Sequence, residues 1–203
     1  ELWQQAKDMQ LLGVERKLKK TLHGVYPLKL EEVRTIDNEA ITIRPAKPVD
    51  ERRIQEHFYT LEKDDIVSRF FHEKSQFVHD EVEGVTQIDY IRDLTLVAVV
   101  GEFGFDQVVG IGEYLLDPNQ NVAEVAFSVS KAYQGKKIGK ILMQKLCIAA
   151  RENGISGFMA YTSPQNEGMI RLFKTLPYKT KTTFEDGMLV LNCRFDDIEE
   201  ARG

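Results

Sequence analysis

The sequence predicts a mixed α/β domain, a central and mostly antiparallel sheet with helices on both faces. Three observations carry this. Three strand-like runs follow closely on one another between Leu94 and Ser130; a stretch of helical period separates the third from a further strand; and the chain closes on a hairpin.

In chain order, residues 1–22, ELWQQAKDMQLLGVERKLKKTL, set Leu2, Ala6, Met9 and Leu12 at helical steps, with Gly13 as a stop. HGVYPLKLEEVRTIDNE sustains no period and reads as linker. The expected division is therefore an N-terminal helical extension and linker over 1–38, the main domain over 39–196, and an acidic tail over 197–203. EAITIRP is a strand stopped by Pro45. KPVDERRIQEHFYTL follows as a helix, with Val49, Ile54, Phe58 and Leu61 on one face, and DDIVSRFF is a second short helix.

LTLVAVVGEF, QVVGIGEYLLD and NVAEVAFSVS are the three strands, parted by Gly, Asp, Pro and Asn as in an antiparallel meander. Ile138, Ile141, Leu142, Leu146, Ala149 and Ala150 recur at three- and four-residue steps, so a helix runs to Asn153–Gly154. SGFMAYT is a strand and MIRLFKTL a short helix. YKTKTTF and MLVLNCRF are joined across Glu185-Asp186-Gly187. The helix between the strands over 121–130 and 156–162 lets those two run parallel.

With 203 residues and 42% hydrophobic content the chain can bury one substantial core. A net charge of −5 argues against general nucleic-acid binding, which needs a basic face. No run approaches the ~20 apolar residues of a membrane helix. Cys147 and Cys193 read as buried thiols of a reducing, cytoplasmic compartment rather than a disulfide framework. The four histidines, His23, His57, His72 and His79, lack ligand spacing, and no metal is expected. The chain opens at Glu1 without methionine, which reads as a piece of something longer.

The stretch AYQGKKIGKILMQKL packs glycine and lysine at a helix start. Backbone N–H groups converge there, and the helix N-terminus adds about half a positive charge, so the turn suits an anion such as phosphate. A P-loop is excluded by the spacing of Gly135 and Gly139 and by Ile141 where Ser or Thr should stand; no G-x-G-x-x-G is present either. A solvated basic turn is the plain alternative.

In context, VAEVAFSVSKAYQGKKIGKILMQKL resembles the acetyl-coenzyme A motif of the GNAT acetyltransferase superfamily: Gln or Arg, two residues, Gly, one residue, Gly or Ala. Gln134 and Gly139 match its ends, and Lys137 replaces the internal glycine. The opening R-P-x-x-x-x-D, Arg44 to Asp50, resembles the bacterial protein-lysine acetyltransferase branch. The resemblance, over residues 39–196, implies a GNAT fold in which the strands over 121–130 and 156–162 splay apart and the pantetheine arm of acetyl-CoA lies between them. Backbone groups of Phe127 and Val129 would bond its amides. The loop of Gln134, Gly135, Lys136, Lys137, Ile138, Gly139 and Lys140 would hold the pyrophosphate on its amides. The Lys137 side chain would either crowd the phosphate or pair with it.

The resemblance also implies a catalytic role for Glu124, in Ala123-Glu124-Val125-Ala126: a carboxylate to take the proton of an attacking ammonium, whose ordinary pKa is near ~10.4. An exposed strand glutamate is the plain alternative, and Glu113 is a weaker competitor. Many relatives supply the departing thiolate's proton from a tyrosine at the position of Phe173, which cannot donate. Tyr161 and Tyr178 read as core or rim, and water could suffice. Asn166 aligns with a coenzyme A-contacting asparagine, and reads equally as a first-turn residue of a helix capped by Ser163. The implied activity is N-acetyl transfer to an amine, a protein lysine or a small molecule, with no nucleic-acid or membrane partner. ELWQQAKDMQLLG also resembles the closing helix of acetyl-CoA hydrolase/transferase enzymes, which implies an upstream domain and, as an alternative, a coenzyme A-sensing module.

Overall fold

The computed structural model describes residues 21–22, 25–61, 87–88, 90–102 and 104–199. The helices expected over 1–12 and 64–71, with His23, His72 and His79, lie outside the described residues. Eight strands form one sheet: β1 (Glu32–Ile36), β2 (Glu39–Pro45), β3 (Asp93–Val100), β4 (Gln107–Asp117), β5 (Val122–Val129), β6 (Gly157–Thr162), β7 (Tyr178–Glu185) and β8 (Met188–Ile198). Their order is β1-β2-β3-β4-β5-β6-β8-β7. All neighbours are antiparallel except β5 and β6, which run parallel as the intervening helix allows. A two-residue parallel ladder also joins Thr21–Leu22 to Gln87–Ile88.

Two boundaries differ from the sequence expectation. Residues expected as linker form β1, which turns into β2 through Asp37 and Asn38, both at positive φ (51° and 63°) in a two-residue hairpin turn. β1 is an edge strand whose middle residues are exposed, so it carries no apolar alternation to read. Just before it, Leu30 ends a single 3-10 turn (Leu28–Leu30) and is buried in the main core. At the other end, β8 continues through Ile198, paired with Tyr178, so the expected tail begins inside the sheet. The β7–β8 turn is Asp186-Gly187 at φ 50° and 80°, the conformation that Asp-Gly favours.

Among the described residues three helices cover the sheet: α1 (Glu51–Tyr59), α2 (Ile138–Glu152) and α3 (Glu167–Phe173). α1 lays Ile54 and Phe58 on Val97, Val108 and Ile111, on one face. Val49, expected on this apolar face, instead stands exposed in the 3-10 turn before the helix. On the opposite face α2 buries Ile138, Leu142, Met143 and Leu146 together with Ala98, Tyr114 and Val125. Close approach is needed where α2 begins: a Cβ at Gly110 would meet Ile138 at 2.9 Å, and one at Gly112 would meet the Phe127 ring at 2.9 Å.

The R-P-x-x-x-x-D run proves to be a staple. Arg44 donates twice to the fully buried Asp50 carboxylate (2.7 Å each), and the Lys47 amide donates to it as well (2.8 Å). Burial alone would raise the Asp50 pKa; the Arg44 and Lys47 hydrogen bonds outweigh it and hold the carboxyl below its usual range. This fixes the entry of α1 beside β2. Among the described residues no helix is long and apolar enough to cross a membrane.

Candidate active site

The β5–β6 ladder is short. It pairs Val122 with Gly157, Ala123 with Phe158 and Glu124 with Met159, then stops, although β5 continues to Val129 and β6 to Thr162. The strands diverge beyond Glu124 and leave the β6-facing edge of β5 without a ladder. Backbone N–H and C=O groups on such an edge need partners, and an extended, amide-bearing arm can supply them. From Glu124 to Val129 the strand advances roughly 17 Å at ~3.3 Å per residue. This is the splayed pair that the sequence resemblance implied.

Past the end of β5 a cleft of about 730 Å³ opens between the β5–α2 connection and α3. Phe127, Val129, Gln134, Gly135, Lys137, Ile138, Gly139, Lys140 and Asn166 all line it. The first bond made by α2 is from the Ile141 N–H to the Lys137 carbonyl (3.1 Å), so the N–H groups of Ile138, Gly139 and Lys140 have no acceptor within the helix. They and the helix dipole favour an anion at this end. Lys136 differs from its neighbours: its ammonium pairs with Asp37 in the β1–β2 turn (3.2 Å) and sits over the Tyr133 ring. Lys137 and Lys140 line the cleft, as does Arg171, whose guanidinium donates to Glu167 (3.0 Å). Gln134 donates from Nε2 to the Val129 carbonyl (3.1 Å), tying the loop back to the end of β5.

Lys137 caps α2 in the left-handed conformation, φ 65°. The backbone here keeps the shape that the family's glycine would adopt freely, and a lysine holds it at a cost of order 1–3 kcal/mol. Lys137→Gly is therefore expected to raise stability by about 1 kcal/mol, partly offset by the freer unfolded chain, which is a few degrees in Tm. If the Lys137 ammonium pairs with phosphate, the same variant binds acetyl-CoA more weakly, which calorimetry reads independently.

Glu124 sits at the apex of the divergence and is 7% exposed. Directly opposed strand residues share a face, so Asp93, Leu115, Glu124 and Met159 form one row across β3 to β6. The next row holds Thr95, Glu113 and Ala126. Both rows lie on the α1 face, whereas Ala123 and Val125 point into the α2 core. Glu113, the competing carboxylate, is 1% exposed and accepts from the Thr95 hydroxyl (3.1 Å). Glu124 thus faces one side of the sheet and the start of α2 the other, with the β5–β6 gap between them.

Sequence reading missed His57. It stands on α1 with Nε2 2.9 Å from Ser128 Oγ and Nδ1 3.1 Å from Ser130 Oγ, bracing the far end of β5. Only the strand register reveals this, since His57 and Ser128 lie 71 residues apart. Of the two readings open for Asn166, the one with Ser163 as the cap does not hold: Asn166 is itself the cap, its Oδ1 accepting from the Met169 amide (3.2 Å) at the start of α3, and it lines the cleft as well. Ser163 instead bonds Gln165. Phe173, the last residue of α3, is fully buried in the main core, and Tyr178 is buried in the same core.

A model of the acetyltransferase (GNAT) family matches residues 53–176. The chain belongs to the GNAT acetyltransferase family. This acetyltransferase is 26% identical to Acetyltransferase PA5475 of Pseudomonas aeruginosa over 156 residues, which are 77% of this chain and 84% of that protein. It is 30% identical to Acetyltransferase Pat of Mycolicibacterium smegmatis over 96 residues, 47% of this chain but 28% of Pat, so the match takes in only part of that longer protein. Among solved structures, the GNAT domain of S. lividans PAT superposes with a TM-score of 0.66 at 26% identity, over 84% of this chain and 100% of that one. As an acetyl-CoA-dependent N-acetyltransferase, this chain brings a thioester and an amine together.

Proposed function

We propose that this acetyltransferase moves the acetyl group of acetyl-CoA to the ε-amine of a protein lysine, with Glu124 as the general base. The observation that carries the reading is the position of Glu124, a buried carboxylate where β5 and β6 part, on the face opposite the phosphate cradle. Acetyl-CoA would enter along the α2 side, its pyrophosphate on the amides of residues 134–140 and its pantetheine along Phe127 and Val129. The amine would arrive from the α1 side. Glu124 takes the ammonium proton, and the freed lone pair attacks the thioester carbonyl.

Two features favour a cationic acceptor on a protein. Asp93, Glu113 and Glu124 share the acceptor face, which suits a protonated amine. The R-P-x-x-x-x-D staple and the likeness to Pat and to the PAT GNAT domain point toward the protein-lysine branch. The test is a competition among a lysine-containing protein, its peptide and a polyamine, with released coenzyme A measured as free thiol. Mass spectrometry should find acetyl on lysine ε-nitrogens. Acetylation of the polyamine alone would transfer the assignment to small-molecule chemistry. Tight acetyl-CoA binding with no turnover on any amine would replace it with a sensing role.

A further inference from the structure

The structure assigns a role to Tyr161: it is the acid that protonates the departing coenzyme A thiolate, in place of the tyrosine that Phe173 displaces. The assignment rests on the acetyl-transfer reading above. The chain has seven tyrosines, and the hydroxyls of four are engaged elsewhere. Tyr26 donates to Glu31, Tyr90 to the Ala46 carbonyl, Tyr114 to the Ile91 carbonyl and Tyr133 to Glu39, while Tyr178 is buried in the main core. Tyr59 stands at the exposed end of α1.

Tyr161 alone stands at the gap. It lies on β6 two residues beyond Met159, the last residue paired with β5, and alternation puts its side chain on the face of Met159 and Glu124. Its other neighbour is Val190 of β8, so nothing pairs with it on the β5 side. It is only half-buried, and its hydroxyl makes no hydrogen bond to any described residue. Burial first, then the charges of Glu124 and Glu185, raise its pKa above the usual phenol value. The phenol consequently stays protonated at neutral pH.

The proton count closes. Glu124 takes one proton from the ammonium and loses it to water before attack. Formation of the C–N bond leaves the nitrogen with one proton in excess. Glu124 collects that proton, Tyr161 gives its own to sulfur as the C–S bond breaks, and Glu124 then refills the phenolate. The sum is an ammonium and a thioester going to an amide, a thiol and one released proton.

The test uses the full chain with acetyl-CoA and a lysine peptide that the wild type acetylates. Tyr161→Phe should lower kcat by about 10²-fold, leave the calorimetric Kd for acetyl-CoA unchanged, and abolish the alkaline limb of the kcat–pH profile while the acidic limb persists. Replacing Tyr161 with 3-fluorotyrosine, a more acidic phenol of nearly the same shape, should move that limb to lower pH without loss of folding. Full kcat with an intact bell in Tyr161→Phe, or an unmoved limb with fluorotyrosine, overturns the assignment and leaves the acetyl-transfer reading in place. A wild type that acetylates no amine overturns both.

Discussion

Glu124→Gln is expected to lower turnover by ~10²–10⁴-fold, the usual contribution of a positioned base, while acetyl-CoA affinity barely changes. The amide keeps the size of the carboxylate and most of its hydrogen bonding but cannot accept the ammonium proton. Burial makes the comparison clean: at 7% exposure between Leu115 and Met159, the side chain has little room to let bulk water take over. Glu113 is the built-in control. It lies one row away, held by Thr95, and Glu113→Gln should cost far less if Glu124 is the base. Equal losses in the two variants would make the pair the catalytic unit, and full activity of Glu124→Gln would remove the assignment.

Gly139→Glu should abolish acetyl-CoA binding. Residue 139 lies in the first turn of α2, among the amides that face the cleft. A carboxylate there would meet the phosphates at close range. Two like charges ~4 Å apart repel by about 4 kcal/mol at an effective dielectric of 20, roughly 10³-fold in Kd. Folding should survive, because a negative side chain at a helix N-terminus is favourable to the helix itself. Gly139→Ala separates charge from size: its Cβ would lie 3.3 Å from Leu172 Cδ2, a contact the flexible leucine tip can relieve by a few tenths of an ångström. Alanine should bind nearly as glycine does, while glutamate should give no heat of binding in calorimetry. Unchanged affinity in the glutamate variant would place the pyrophosphate elsewhere.

Elements whose neighbours repeat a pattern were the legible ones. β4, β5 and α2 bury one face or both, so their apolar spacing showed them almost to the residue. β1 was not legible, because an edge strand with exposed side chains has no alternation to display. The capping of α3 was misassigned for a similar reason. Ser163 and Asn166 are both good caps by residue type, and only the path of the chain after Pro164 decides which oxygen reaches an amide.

Local order along the chain determined the meander, the helix after the glycine–lysine turn, the hairpin and the free amides where α2 begins. These depend on short-range backbone chemistry: glycine at a turn, orphan N–H groups at a helix start, period two or 3.6 in burial. The tertiary structure alone decided where the β5–β6 ladder stops, that Glu124 and the turn over 134–140 face opposite sides of the sheet, that His57 braces Ser128 and Ser130, and that Tyr161 shares a face with Glu124 while Lys136 turns to Asp37. Each of these depends on register between strands or on packing between elements far apart in sequence. A one-residue slip would send Glu124 into the α2 core, and no stretch of sequence read by itself records which register the whole sheet adopts.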